Sequence, residues 1–283
     1  MAAQDIRPRP GSADTDTLKL HRRTMVLDGR LYSVLTLRPG GDVRFATNRY
    51  HNTWHVLSDW RGARVLARLL WGLAYQRRPG TLVVIDPGHL DPNPFDAATS
   101  DPIVLVPSDL TVFTRAAAVA LRKRLPLRDR SAGTVRWQTF GLKPALARWL
   151  ARRSPDPGAV VSHYVAEPVG WTRIDRLGGL LVIYGAADHL RDWATCLMRL
   201  GTYAQDGMDY LYLDYPVVDG EVQIFRQYRR EVNIARQARR EVLARTGGRA
   251  EPGIESAIWS HAATVRHRRY PPPAGPVSPV GGP

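Results

Sequence analysis

The stretch Thr81–Phe95, TLVVIDPGHLDPNPF, constrains this chain most: a short β-branched apolar run stops abruptly in Asp86-Pro87-Gly88-His89. A run of that length closed by Pro, Gly, Asp and Asn reads as a buried strand ending in a loop. The same pattern recurs. Ile103–Val106, Thr134–Phe140, Ala159–Val165, Leu180–Tyr184 and Tyr210–Tyr215 read as further strands, and Glu221–Phe225 as one that pairs nearby. Between them lie helical periodicities over Arg61–Arg77, Thr111–Leu125, Lys143–Arg153, Ala187–Tyr203 and Tyr228–Arg245. In the first of these, Val65, Leu66, Leu69, Leu70 and Leu73 share a face, and Arg78-Pro79-Gly80 stops it. Upstream, Met25–Leu37 and Asp42–Thr47 read as a hairpin around Pro39-Gly40-Gly41.

Strands separated by helices of this length imply βαβ units. The expected fold is therefore one α/β domain over residues 18–270, with a mostly parallel sheet covered by helices. Residues 1–17 are polar and aperiodic, and residues 271–283 are Pro-rich, so both are expected to be disordered tails.

Composition narrows the function classes. No apolar run approaches the length of a membrane span. The N-terminus has no apolar core of a secretory signal, and Cys196 is the only cysteine. One thiol forms neither an internal disulfide nor a cysteine metal cluster, and a cytoplasmic location is the default expectation. The formal charge of +14 invites a polyanion. Nearly all of it is arginine, since Lys19, Lys123 and Lys143 are the only lysines. A GC-rich coding bias would produce the same excess, so charge alone does not decide.

The strand-end loop offers Asp86, His89, Asp91 and Asp96 as candidate chemistry, because α/β proteins place polar sites where strands end. A catalytic zinc takes three His or carboxylate ligands and keeps one position for water. His89, His163 and either Asp109 or Asp91 supply those types if their strands are neighbours. The competing reading is a plain turn, with Asp86 capping it and Gly88 supplying backbone freedom.

The motif VVIDPGH resembles the opening of the zinc-dependent N-acetylmuramoyl-L-alanine amidases, where a strand delivers a histidine ligand directly after Asp-Pro-Gly. That resemblance implies His89 as first ligand, His163 as a looser match to the second, and hydrolysis of an amide by metal-bound water. The chain departs from the family in two places. It has no glutamate before Glu167, leaving Asp109 to substitute, and it has Leu90-Asp91 where the family has Gly-Gly.

Other constellations are weaker. LLVIYGAADH ends in Asp188, which could orient a histidine such as His261 in an α/β-hydrolase arrangement. The available serine, Ser108, sits between Val106 and Leu110, which would clash in a nucleophile elbow; Asp188 reads better as a helix N-cap. His51 and His55 would share a face if Asn48–Trp60 were helical, although aromatic packing with Trp54 and Trp60 is the simpler reading. No phosphate-binding Gly-rich loop is present. Cys196, among Trp193, Leu197 and Leu200, reads as a core residue. Asp214 ends the strand Tyr210–Tyr215 and could face the same surface as Asp86.

The best binding surface is the helix Tyr228–Arg245. Tyr228, Val232, Ala235, Ala238 and Val242 form its apolar stripe. Arg229, Arg236 and Arg240 line up elsewhere, flanked by Arg226, Asn233 and Gln237. Arginines so aligned can contact successive phosphates. The alternative is a solvated face with Glu231 and Glu241 pairing locally. The expected function is thus a non-enzymatic basic α/β protein that contacts nucleic acid or another polyanion through this helix and needs no cofactor. A zinc-dependent hydrolase built on His89 and a protein–protein adaptor are the alternatives.

Overall fold

A computed structural model describes residues 17–128, 131–153, 168–203, 207–213, 219–247 and 252–271. The expected tails, the strand Ala159–Val165 with His163, and Asp214 lie outside the described residues, apart from Thr17 and Pro271. The chain divides into two compact units. One holds the described residues up to Asp91 together with Ser100–Arg226; the other holds Pro92–Thr99 and the described residues from Gln227 onward.

The first unit is mixed α/β. Strands β1 (Thr17–Leu27), β2 (Arg30–Leu37), β3 (Ala46–Tyr50) and β4 (Thr53–Ser58) precede helix α1 (Trp60–Ala74). Then come β5 (Thr81–Ile85), β6 (Ile103–Pro107), α2 (Arg115–Arg122), β7 (Gly133–Gln138), α3 (Leu142–Arg153), β8 (Thr172–Leu177) and β9 (Leu180–Gly185). Helix α4 (Ala187–Leu197), β10 (Met208–Tyr212) and β11 (Gly220–Phe225) complete it.

Seven strands form a sheet in the order β7-β1-β2-β5-β6-β9-β8, and four form a second in the order β10-β11-β4-β3. Both sheets are mixed, which corrects the mostly parallel expectation. Among the described residues, only the strand pairs β2–β5, β6–β9 and β4–β11 run parallel. The decisive pair is β5–β6, which is antiparallel and is joined by an irregular loop in place of a helix. The runs in β5, β6 and β9 read as continuous apolar segments because they are buried on both faces.

Two turns explain the misread N-terminal region. Asp28 and Gly29 both have positive φ, 49° and 71°, and Leu27 pairs with Arg30. That is the type I′ hairpin for which Asp-Gly is suited. It places the hairpin turn there and not at Pro39-Gly40-Gly41. His51 and Asn52 repeat the geometry at φ 47° and 67°, joining β3 to β4. Asn48–Trp60 is therefore not a helix, and His51 and His55 share no helical face.

Helix α1 starts where the Asp59 carboxylate accepts the Gly62 N–H at 2.9 Å. Its apolar side and that of α4 pack with one face of the large sheet and one face of the small sheet, through residues such as Leu66, Leu70, Leu190, Ile183, Val56 and Ile224. The opposite face of the large sheet packs under α2 through Val84, Val104, Val182 and Leu121.

The second unit contains α5 (Tyr228–Arg245) and α6 (Ile254–Arg269). Their seam buries Ile234, Ala238 and Val242 against Ile254, Ile258, Ala262 and Val265. No helix among the described residues is long and apolar enough to cross a membrane.

Candidate nucleic-acid interface

The strand-end loop folds on itself. Asp86 caps a single 3-10 turn, Pro87–His89, by accepting the Gly88 N–H at 3.1 Å. His89 is only 5% exposed, and each of its ring nitrogens faces an oxygen: Nδ1 the Asp86 carboxylate at 3.3 Å, Nε2 the Arg38 carbonyl at 3.1 Å. Backbone bonds tie the loop to Phe45, which donates to the His89 carbonyl at 2.9 Å and accepts from the Asp91 N–H at 2.7 Å. Asp96 closes a turn with Asn93, accepting from its side chain at 2.8 Å and from the Ala98 N–H at 2.6 Å. These contacts give His89 the work of a latch. His89→Ala is expected to cost about 2–4 kcal/mol, by removing a buried side chain together with its polar contacts to Asp86 and the Arg38 carbonyl. Urea unfolding checks this, and an unchanged midpoint would contradict it.

The topology places two of the proposed ligands, His89 and Asp109, apart, while Asp91 shares the loop of His89 and His163 lies outside the described residues. The loop after β5 lies at the Ile103 end of β6, because Ile85 pairs with Ile103. Asp109 follows Pro107 at the other end, roughly 13 Å of strand away. There its carboxylate accepts the Ala187 N–H at 3.2 Å and caps α4, whose own N-cap, Ala186, has no side chain to do so. Among the described residues, no three His, Cys, Asp or Glu side chains gather to hold a metal ion.

The residues of the hydrolase constellation are each engaged with other partners. Asp188 lies in the first turn of α4 instead of at its cap, accepting from Val169 N–H at 3.4 Å and from Arg191. Ser108 donates to the Trp171 carbonyl at 3.0 Å, and His261 donates to Glu241 at 2.7 Å. Cys196 is only partly buried. Sequence reasoning passed over one buried pair in the small sheet. His55 and Glu221 are register neighbours with Nε2 and Oε2 3.7 Å apart. Burial pushes the Glu221 carboxyl up to about 7 and lowers the His55 imidazole.

Helix α5 has the face the sequence suggested. Its predicted apolar stripe, Tyr228, Val232, Ala235, Ala238 and Val242, is buried, as is Ile234. Arg229, Asn233, Arg236 and Arg240 are exposed and recur at i, i+4, i+7 and i+11, one line along about 16 Å of helix. Arg226 is also exposed but precedes the helix, its guanidinium 5.3 Å from the Tyr203 ring centre.

The two carboxylates of α5 point elsewhere. Glu231 accepts from Arg266 at 2.6 Å, and Glu241 accepts from His261 at 2.7 Å and Arg268 at 2.6 Å. These partners belong to α6, the helix the sequence reading missed, so both glutamates pair across the seam. The missed signal was there: Ile254, Ile258, Ala262 and Val265 repeat at helical spacing.

Hydrogen bonds from Gln237, His261 and Arg268 hold the Glu241 carboxyl down at about 2. A folded-state value below the unfolded one stabilises the hairpin above the ordinary carboxylate range, and that contribution is lost as pH falls toward 2. Glu241→Gln is expected to flatten the pH dependence of the thermal midpoint between about 4.5 and 2. A variant with the wild-type profile would contradict the seam assignment.

Comparison with known protein families, curated proteins and solved structures finds no match to this chain.

Proposed function

We propose that this protein binds nucleic acid through the exposed arginine line of α5. The observation that carries the reading is charge segregation on one helix. Its two glutamates are engaged across the seam to α6, and its exposed line carries Arg229, Arg236 and Arg240 with Asn233 between them. Guanidinium groups repeated along a helix suit phosphate oxygens, which they bind with paired N–H donors. Asn233 adds a side chain able to reach a sugar or a base edge. Cations engaged by phosphates release condensed counterions, so affinity depends steeply on salt.

Fluorescence anisotropy of a labelled DNA duplex tests the reading. Three phosphate contacts predict that log K falls with log salt at a slope of about −2.7 or steeper. An affinity indifferent to salt, or no binding at low salt, overturns it.

A further inference from the structure

A second basic surface lies on the other compact unit, at the β7-β1-β2 end of the large sheet. Lys19 of β1 is the direct cross-strand partner of Arg136 of β7. Leu20 pairs with Leu37, which carries Arg38 to the next position on the far side of Lys19. Lys19, Arg38 and Arg136 are all exposed. Among the described residues, none of these three side chains has a hydrogen bond or an ion pair. The three strands contain no Asp or Glu.

Like charges placed directly opposite each other on a sheet are destabilising. A row of three, with no carboxylate on its strands, is a poor arrangement for a bare surface and a suitable one for an anion. His21, two residues along β1 on the same face, senses the same field. Its imidazole is lowered first by burial and then by Arg23 and Arg38. Arg23 is held by the Thr36 hydroxyl and the Leu127 carbonyl, both at 3.1 Å, and so is fixed as part of that field. Thr134 and Gln138, exposed on β7, pair with His21 and Thr17 and flank Arg136 on the same face.

We propose that this face is a second nucleic-acid-binding surface, with Lys19, Arg38 and Arg136 on phosphates and Thr134 and Gln138 as hydrogen-bonding neighbours. The row crosses three strands, a span of about 10 Å. Duplex DNA presents a charge every ~1.7 Å of axis, so roughly six phosphate charges fall within that span. The proposal shares its ligand class with the α5 reading but does not depend on that helix.

The test compares full-length wild type, Lys19→Gln/Arg38→Gln/Arg136→Gln and Arg229→Gln/Arg236→Gln/Arg240→Gln against one labelled duplex. The sheet variant is expected to lose about a hundredfold in affinity near 0.15 M salt and about 2.7 units of salt slope. Its thermal midpoint should hold or rise, because like-charge repulsion is removed. The His21 imidazole, followed by NMR, should titrate at higher pH once the duplex is bound. Loss of binding in both variants would establish both surfaces. Loss in the sheet variant alone would establish this surface and sink the α5 reading; loss in the helix variant alone would do the reverse. Unchanged binding in both variants, or none in the wild type, overturns both.

Discussion

Arg229→Gln/Arg236→Gln/Arg240→Gln is expected to bind duplex DNA about a hundredfold more weakly than wild type near 0.15 M salt. Each lost phosphate contact removes about 0.7 decade of affinity at that ionic strength through counterion release. Three contacts therefore remove about two decades and make the salt dependence shallower by about 2.7. Glutamine is shorter than arginine but has a comparable helix propensity, so the helix should be unaffected. All three positions are exposed, where substitutions usually change stability by less than about 0.5 kcal/mol. Circular dichroism should thus be unchanged while affinity collapses. A variant that binds like wild type at every salt concentration would remove α5 from the interface.

The second large effect is structural. Ile258 is fully buried in the α5–α6 seam, where it packs with Ala238, Val242, Ile254 and Ala262. Ile258→Ala is expected to cost about 2–5 kcal/mol, by lost transfer energy and the cavity left behind. Among the described residues, the seam has seven buried apolar residues, two of them alanine, so little packing remains to compensate. Amide exchange in α5 should accelerate at least about thirtyfold, the equivalent of 2 kcal/mol. DNA affinity should fall with it, because an unfolded α5 no longer holds its arginines in line. Unchanged protection in α5 would mean that α6 does not hold that helix.

Much of the architecture was legible because burial leaves a periodic trace. The run TLVVI announced a central strand, and the i, i+3, i+4 repeats of Leu66, Leu69, Leu70 and Leu73 announced α1. Direction left no such trace. Whether β6 runs with or against β5 depends on the route of the loop between them, and residues 86–102 look equally irregular either way. The hairpin turns were readable from Asp28-Gly29, but Pro39-Gly40-Gly41 offered a louder turn signal at the wrong place.

For the candidate interface, the outward line of α5 could be read from spacing alone. The fate of its glutamates could not, because their partners lie 20 or more residues away on a helix whose small apolar stripe was overlooked. The surroundings of the strand-end loop were no more legible. Asp-Pro-Gly-His is chemically suggestive, yet the Arg38 carbonyl that occupies His89 Nε2 is 51 residues distant in sequence.

Arginine protection tests the central claim most directly. The full-length protein would be treated with an arginine-selective dicarbonyl reagent, with and without saturating duplex DNA, and the modified sites mapped by mass spectrometry. Arg229, Arg236 and Arg240 are expected to become protected by DNA, while Arg266 and Arg268, engaged with Glu231 and Glu241, change little. Equal modification of the three α5 arginines with and without DNA would contradict the assignment of this helix as the interface.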